Sequence, residues 1–276
     1  TCFKDMKHTD PSILSFDIES TGLDHNEESK VLLISNTFRN VNGIQKKLFC
    51  YDDYNNCAEM IQDWARWVVD LDPSIICGHN IYGFDLSYIK FCHDKYSSDP
   101  IILGKADRAI SFEEYESKFR VDGSRDLHYK KVHIYGREVV DTMFLAYKYD
   151  VGRKYESYGL KSIINYEGLE REDRTFYDAS LIRTNYKIPE EWVKIKEYAK
   201  DDADDSLKLY DLMGPVMFYL CPVVPKSLQG IIESASGAQI NLVMVRSYLQ
   251  EKHSVAKASE AEQYEGAISF AVPGIY

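Results

Sequence analysis

The sequence lacks long apolar runs, closely spaced cysteines and an excess of positive charge. No uninterrupted apolar stretch approaches the ~18 residues of a transmembrane helix. Thr1 to Asp5 are polar, so the N-terminus lacks the apolar region of a signal peptide. These absences argue against a membrane protein and against secretion. Residue 1 is Thr rather than Met, which indicates a piece of a longer chain.

The cysteines are too widely spaced for a CxxC pair, and 276 residues are too many for a small disulfide-stapled domain. They are Cys2, Cys50, Cys57, Cys77, Cys92 and Cys221. We expect free, mostly buried thiols in a reducing, intracellular compartment, and no structural zinc site.

The net charge is −11, from 33 Lys+Arg and 44 Asp+Glu residues. Nucleic acids favour basic surfaces, so this charge argues against a simple nucleic-acid-binding protein. The exception is an enzyme that handles phosphates through divalent cations, because its site concentrates carboxylates while the cations supply the positive charge. The positions of the acidic residues therefore decide more than their number.

Strand-like and helix-like segments alternate along the chain, which predicts an α/β domain. Three strand-like segments come first, so we expect a mixed sheet rather than a purely parallel one. The predicted strands cover residues 12–19, 31–38, 46–51, 74–77, 132–135, the start of 139–149, and 266–272. The predicted helices cover 58–71, a segment from about 84, the end of 139–149, 190–213 and 229–250. The polar segment 95–131 is predicted to be an insertion with a partial β-hairpin, and Pro215, Pro222 and Pro225 to break the chain.

Asp17 and Glu19 lie two residues apart on an apolar predicted strand, so their side chains point to the same face. Two buried carboxylates on one face repel each other unless a cation lies between them. The simpler alternative is an exposed strand edge with two solvated acids. The D-x-E spacing by itself leaves both alternatives open.

Two further acids follow other predicted elements. Asp85 comes after a buried strand and a glycine-containing turn, where it could also cap the next helix. Tyr198 and Asp202 are four residues apart in a predicted helix and share a face. Asp202 belongs to the acidic run 201–205, in which we expect Asp201 and Asp205 to be solvated while Asp202 faces inward. An entirely solvated acidic face is the alternative.

The order of these motifs, D-x-E, then N-x3-F-D, then Y-x3-D, resembles the three exonuclease motifs of family B DNA polymerases. Residues 135–142 resemble the segment between the second and third motifs of that family. Residues 264–267 and 273–276 resemble its junction between exonuclease and polymerase domains. The polymerase motifs S-L-Y-P-S and D-T-D are absent.

The resemblance implies a ribonuclease H-like fold: a mixed β-sheet flanked by helices, with a C-terminal helical segment leading into the polymerase palm. It places the 3′–5′ exonuclease domain at 1–213, and a connector with the start of the polymerase domain at 214–276. It implies metal-dependent hydrolysis of the 3′-terminal phosphodiester of single-stranded or frayed DNA. The partners would be single-stranded or primer–template DNA, the rest of a polymerase chain, and a processivity factor.

The resemblance also assigns roles to the site residues. Two Mg²⁺ or Mn²⁺ ions would be held by Asp17, Glu19, Asp85 and Asp202, with Asp17 between them and Asp202 on the ion that activates water. Tyr198 would orient that water or the phosphate. It would not act as a strong base, because a phenol is a weak acid and stays protonated at neutral pH. No His lies between His133 and His253, which indicates the tyrosine subtype rather than H-x4-D.

DNA contacts are predicted at Thr21, Leu23, Asn80 and Phe84. Backbone amides of the turn 20–23 would meet the terminal nucleotide, and Leu23 would wedge against its base unless it simply packs in the turn. Asn80 and Phe84 would line a single-strand channel.

Asp141 could cap its helix, which we favour, or support the metal site, and His79 is expected to be a packed histidine. Residues 105–135 occupy the place of a hairpin that separates primer from template in several relatives. The alternative functions are a free-standing exonuclease or RNase of the same fold, and a catalytically silent docking scaffold of a replication complex.

Overall fold

A five-stranded mixed sheet forms the centre of the protein. The computed structural model describes residues 10–121 and 125–255. The strands of the described residues are β1 (Ile13–Ser20), β2 (Val31–Asn40), β3 (Gly43–Cys50), β4 (Ile75–Gly78), β5 (Ser111–Phe112), β6 (Ser117–Arg120), β7 (Asp126–Tyr129), β8 (Val132–His133) and β9 (Glu138–Asp141). The central sheet has the order β3-β2-β1-β4-β9.

Pairing in this sheet changes direction at β1. β1 runs antiparallel to β2, with Asp17 opposite Ser35, and β2 runs antiparallel to β3. β1 is parallel to β4, and β4 is parallel to β9, with Gly78 beside Asp141. The predicted mixed sheet is therefore confirmed, and the carboxyl ends of β1, β4 and β9 lie along one edge of it.

Helices cover both faces of the sheet. They are α1 (Cys57–Leu71), α2 (Asp85–Asp94), α3 (Thr142–Tyr149), α4 (Leu160–Tyr166), α5 (Ile182–Asn185), α6 (Pro189–Leu220), α7 (Leu228–Glu233) and α8 (Ser236–Gln250). α1 begins where the Asn56 side chain accepts a hydrogen bond from the Glu59 amide, and its Trp64 ring lies 5.4 Å from Phe16 of β1. α6 packs on β1, β2 and β4. Since neighbouring strand residues point to opposite faces, Phe16 faces α1 whereas Asp17 and Glu19 face α6.

The prediction that Pro215 breaks the chain is wrong, because α6 continues through it to Leu220. A proline excludes the helical conformation at the preceding residue mainly through that residue's Cβ, and here the preceding residue is Gly214. A Cβ at Gly214 would lie 2.7 Å from the Tyr210 ring, so the glycine also allows close packing. Beyond the proline, Met217 and Phe218 pack against the core and stabilise the last turns.

The prediction of a single helix over 229–250 is also wrong, because α7 ends at Glu233 and α8 begins at Ser236. Ser234 and Ala235 are extended. The Ser234 carbonyl accepts a hydrogen bond from Lys148 Nζ at 2.6 Å, and the Gln239 side-chain amide reaches the Ile231 carbonyl at 2.9 Å. These contacts satisfy carbonyls that a continuous helix would have used.

The predicted insertion contains the expected hairpin, since β6 and β7 pair antiparallel from Ser117–Tyr129 to Arg120–Asp126. The predicted strand over 132–135 is reduced to β8, which pairs with β5. The strand predicted over 266–272 lies outside the described residues, as do the motif matches at 264–276. Short helices at 160–166 and 182–185 are present where the pattern predicted no element.

The described cysteines are free thiols, as predicted: Cys50, Cys57, Cys77 and Cys92 are buried and Cys221 is partly buried. Among the described helices, none is both long and apolar enough to cross a membrane.

Candidate active site

Two acidic side chains of β1 meet one from α6, which is far away in the chain. Single carboxylate oxygens of Asp17, Glu19 and Asp202 all lie within 4.8 Å of one another. Glu19 and Asp202 are buried, whereas Asp17 keeps some exposed surface. The strand alternation that placed Asp17 and Glu19 on one face, and the helical spacing that turned Asp202 inward, are both observed. The solvated alternatives for these acids are therefore excluded.

Asp85 lies beside this group as the first residue of α2 and is only 4% exposed. Its negative charge contributes to the raised pKa of Asp17. Burial raises the pKa of Asp85 itself from 3.8 to about 7, and the neighbouring Asp141 adds to the rise. The N-cap residue of α2 is Phe84, which forms no side-chain cap, so Asp85 is the first helical residue rather than the predicted N-cap.

The electrostatics of the cluster favour a bound cation. Burial raises the pKa of Asp17 well above its usual range, and the charges of Asp85, Glu19 and Asp202 raise it further. The pKa of Glu19 is raised for the same reasons, with burial first and Asp202 next. Carboxylate oxygens are the ligands that Mg²⁺ and Mn²⁺ prefer, and a divalent cation among them would relieve this repulsion. The donor set therefore fits a divalent metal centre.

Lys161, on α4, is a site residue that the sequence pattern did not indicate. Its Nζ donates a hydrogen bond of 2.5 Å to the Tyr198 Oη and lies 4.2 Å from the centre of the ring. The Lys161 charge also lowers the pKa of Asp17, Glu19 and Asp202, opposing the effect of burial. A lone lysine before two buried isoleucines carries no distinctive spacing, so only the folded structure reveals it.

Tyr198 lies on the inward face of α6, four residues before Asp202, and is buried. Burial, followed by the charges of Asp202 and Glu19, raises its pKa well above the usual value. The phenol is therefore neutral at physiological pH. Lys161 donates to the Tyr198 oxygen, and the Tyr198 hydroxyl in turn donates to the Asp202 carboxylate, which lowers the pKa of Asp202.

The prediction that Asp201 and Asp205 are solvated is wrong. Asp201 accepts a hydrogen bond of 2.8 Å from the Thr175 amide and pairs with Arg171. Asp205 pairs with Arg174 Nε at 2.8 Å and with Lys208. All four acids of the run 201–205 are buried, because basic residues of the segment 170–175 lie against this part of α6.

Asp204, the remaining acid of the run, is paired with side chains of the sheet as well as with Arg171. It accepts a hydrogen bond of 2.6 Å from the Thr37 hydroxyl of β2 and forms ion pairs with Lys46 and Arg171. Buried acids with fully paired charges have a structural role, and of this run only Asp202 joins the cluster with Asp17 and Glu19.

Asp141 has the structural role that we favoured. Its side chain caps α3 by accepting from the Met143 amide at 2.9 Å, and it also accepts from the amides of Asn80 at 2.9 Å and Tyr82 at 3.2 Å. Asn80 has a positive φ of 61°. Asp141 therefore holds the turn that leads into Asp85.

His79 is packed, as expected, with both ring nitrogens engaged. Nδ1 lies 2.9 Å from the Thr142 hydroxyl and Nε2 2.9 Å from the Tyr158 carbonyl. Burial lowers its pKa to about 4, so the ring is neutral at physiological pH.

The predicted DNA-contact residues differ in their surroundings. Leu23 is 77% exposed, so the alternative that it packs in its turn is wrong. The Thr21 amide and hydroxyl are already engaged with backbone atoms of residues 28–30. The Asn80 side chain lies over Gly83, where a Cβ would be 2.3 Å from its Oδ1. The half-buried Phe84 ring lies 4.9 Å from that of Tyr88.

Comparisons with known proteins agree with the motifs. The family model for the DNA polymerase family B exonuclease domain matches residues 3–163. The DNA polymerase delta catalytic subunit of Caenorhabditis elegans is 27% identical over 225 residues, covering 75% of this chain and 19% of that protein. The same subunit of Dictyostelium discoideum is 23% identical over 292 residues, covering 96% of this chain and 26% of that protein. The chain thus spans only 19% and 26% of the length of these two relatives.

The fold has a match among solved structures. The family B DNA polymerase of Pyrobaculum calidifontis superposes with a TM-score of 0.74 and 19% identity, covering 93% of this chain and 31% of that one. The predicted ribonuclease H-like mixed sheet flanked by helices is thereby confirmed. Because the family model covers well over half of the chain, this chain belongs to the exonuclease domains of family B DNA polymerases.

Proposed function

We propose that this chain is a metal-dependent 3′–5′ exonuclease that removes the terminal nucleotide of single-stranded or frayed DNA. The observation that carries the proposal is the meeting of Asp17, Glu19 and Asp202 within 4.8 Å, with Asp85 beside them. The family membership supports the same reaction.

Asp17, Glu19, Asp85 and Asp202 would hold Mg²⁺ or Mn²⁺, which are hard cations that bind carboxylate oxygens. When bound, two such ions supply an activated water, a polarised phosphorus and a stabilised leaving 3′-oxygen. Asp17 would lie between the two ions, and the charges of all three other acids raise its pKa. Asp202 belongs to the side of the site where Tyr198 lies.

Tyr198 acts as a hydrogen-bond donor. Its raised pKa makes it a poor general base, and Lys161 already donates to its oxygen at 2.5 Å. The phenolic hydrogen would orient the attacking water or a phosphate oxygen. Lys161 fixes the phenol and adds a positive charge where negative charge develops on the phosphate in the transition state.

The substrate proposal rests on access. A single strand would reach the acids past the turn that carries Leu23, whose exposed side chain is available to wedge against a base. Thr21, Asn80 and Phe84 would line this path. A mispaired 3′ end frays at a cost of a few kcal/mol, less than a paired one, and selectivity for mismatches would follow from that difference.

We further propose that residues 1–213 carry the nuclease and that 214–276 begin the connection to a polymerase domain. The rest of a polymerase chain and a processivity factor are the partners that this proposal implies. α8 has exposed apolar side chains and no buried residue in the described structure, which suits a segment that packs against a further part of a chain.

The test is digestion of a 5′-labelled single-stranded DNA oligonucleotide with Mg²⁺ or Mn²⁺. The wild-type chain should shorten it stepwise from the 3′ end, and Asp17→Ala/Glu19→Ala should not. The control Asp99→Ala/Glu114→Ala removes two exposed acids away from the cluster and should retain activity. No cleavage with either metal would favour the docking scaffold, whereas equal or faster cleavage of RNA would favour a free-standing RNase.

A further inference from the structure

Arg174 is a buried cation on the outer side of Asp202. Its side chain is 2% exposed, and its Nη2 donates to Asp202 Oδ1 at 2.6 Å while its Nε donates to Asp205 Oδ2 at 2.8 Å. The Nη1 atom is buried and has no hydrogen-bond partner among the described residues. One guanidinium thus links a cluster acid to a structural acid.

The segment that carries Arg174 is held independently of Asp202. Arg171 pairs with Asp201 and Asp204, and the Thr175 amide donates to Asp201. Arg174 therefore approaches Asp202 from a fixed position. Because a planar guanidinium presents donors in a rigid fork, it determines the orientation of the carboxylate that it binds.

This contact has two consequences for a cation. Asp202 Oδ1 accepts from Nη2, and the Tyr198 hydroxyl donates to the same carboxylate, so these two donors fix the orientation in which Asp202 meets a metal ion. The guanidinium and a bound cation would also contact the same Asp202 carboxylate. Two positive charges this close together in a buried site repel each other strongly.

We propose that Arg174 is a positioning residue that fixes the orientation of the Asp202 carboxylate and lowers the affinity of the DNA-free cluster for a divalent cation. Full loading of the site then depends on the negative charge that a DNA phosphate brings. The inference rests on the proposed function, because it requires that the cluster bind Mg²⁺ or Mn²⁺.

Titration of the 276-residue chain with Mn²⁺, followed by the electron paramagnetic resonance signal of the free ion, tests this inference. Without DNA, Arg174→Gln should bind Mn²⁺ on the order of tenfold more tightly than the wild type, because a repelling charge is gone. Arg174→Lys keeps the charge and should stay within about threefold of the wild type. Arg171→Gln removes an equal charge from Asp201 and Asp204 and serves as the matched control.

A second titration adds a single-stranded oligonucleotide with a phosphorothioate at its 3′-terminal linkage, which resists hydrolysis. The oligonucleotide should tighten Mn²⁺ binding in the wild type and should tighten it less in Arg174→Gln, because the phosphate no longer has a guanidinium charge to offset. A residue that only stabilises the fold would not produce tighter binding in the Gln variant or weaker coupling.

The outcomes separate the two proposals. Wild-type Mn²⁺ binding that does not change in Asp17→Ala/Glu19→Ala would remove the metal centre and the proposed function with it. Binding that depends on these acids but is equal or weaker in Arg174→Gln would overturn only the role of Arg174. If near-ultraviolet circular dichroism shows that Arg174→Gln does not fold, Arg174→Gln/Asp205→Asn also removes the buried acid that has lost its Arg174 partner. The Mn²⁺ affinity of this double variant is then compared with that of the wild type, with the same outcomes.

Discussion

Replacing Asp85 with Asn should stabilise the metal-free protein, although it removes a proposed ligand. Burial raises the pKa of Asp85 from 3.8 to about 7, so its charged form is disfavoured in the folded state. Between these two pH values the folded protein binds more protons at this site than the unfolded chain does. The contribution of Asp85 to stability is therefore lost as the pH rises through this window.

The size of the effect follows from the two pKa values. Each pKa unit corresponds to about 1.36 kcal/mol, so ionising Asp85 in the folded protein costs about 4 kcal/mol once the pH exceeds about 7. Asn has nearly the same shape and keeps one oxygen as an acceptor for the backbone of Ile18. Asp85→Asn should thus raise the free energy of unfolding by up to about 4 kcal/mol at pH 8 and change it little near pH 4.

Urea unfolding in the presence of EDTA at pH 4.5, 6 and 8 measures this difference. Asp99→Asn, which removes an exposed acid, is the matched control and should show no such pH dependence. Adding Mg²⁺ should stabilise the wild type more than Asp85→Asn, because a ligand that binds only the folded state stabilises it by an amount that grows with the logarithm of its affinity. A loss of stability in Asp85→Asn at pH 8, or a gain equal at all three pH values, would refute the electrostatic argument.

Three further substitutions test the site and its frame. Lys161→Met should lower the exonuclease rate by about 10²-fold with unchanged circular dichroism, and Lys161→Arg should lose less; equal rates for wild type and Lys161→Met would show that the contact to Tyr198 is not functional. Tyr198→Phe should lower the rate by about 10- to 10²-fold at saturating metal while Mn²⁺ affinity stays unchanged, and a large change in that affinity would contradict a purely hydrogen-bonding role. Gly78→Ala should destabilise the fold by roughly 1–3 kcal/mol in urea unfolding, since its Cβ would lie 2.6 Å from the Phe16 carbonyl oxygen and 2.5 Å from Ile81; an unchanged midpoint would show that β1 and β4 can separate at no cost.

The parts of the site that could be predicted depend on regular periodicity. Alternation along β1 places Asp17 and Glu19 on one face, and the four-residue spacing in α6 places Tyr198 and Asp202 on one face. Both are properties of a single element, and the order of the three motifs then relates the elements to one another. The mixed sheet was predictable for a similar reason, because three successive strand-like segments without a helix between them favour antiparallel neighbours.

The parts that could not be predicted depend on contacts between distant segments. The solvated state expected for Asp201 and Asp205 fails because Arg171, Arg174 and Lys208 meet them in the fold. A run of acids has the same appearance in sequence whether water or arginine faces it. The role of Lys161 could not be predicted for the same reason, since its partner Tyr198 lies 37 residues away along the chain.

The effect of a proline on a helix is also difficult to predict from the local sequence. A proline ends a helix in most contexts because it removes a donor and crowds the residue before it. At Pro215 the preceding residue is glycine, which removes the crowding, and the packing of Met217 and Phe218 against the core outweighs the lost hydrogen bond. The tertiary contacts of the following turn decide the outcome, and these are not visible in the local pattern.

The acidic composition and the proposed substrate can be reconciled through the arrangement of the charges. Most acids near the site are neutralised locally, as Asp201, Asp204 and Asp205 are by basic side chains. The cluster acids are less fully paired, since among the described residues Lys161 approaches them from the Tyr198 side and Arg174 from the Asp205 side. The unneutralised charge is thus concentrated where α6 meets β1. A phosphate can approach such a place only together with cations, so DNA binding and metal loading would be coupled at this site, and the net charge of −11 is compatible with a nucleic-acid substrate.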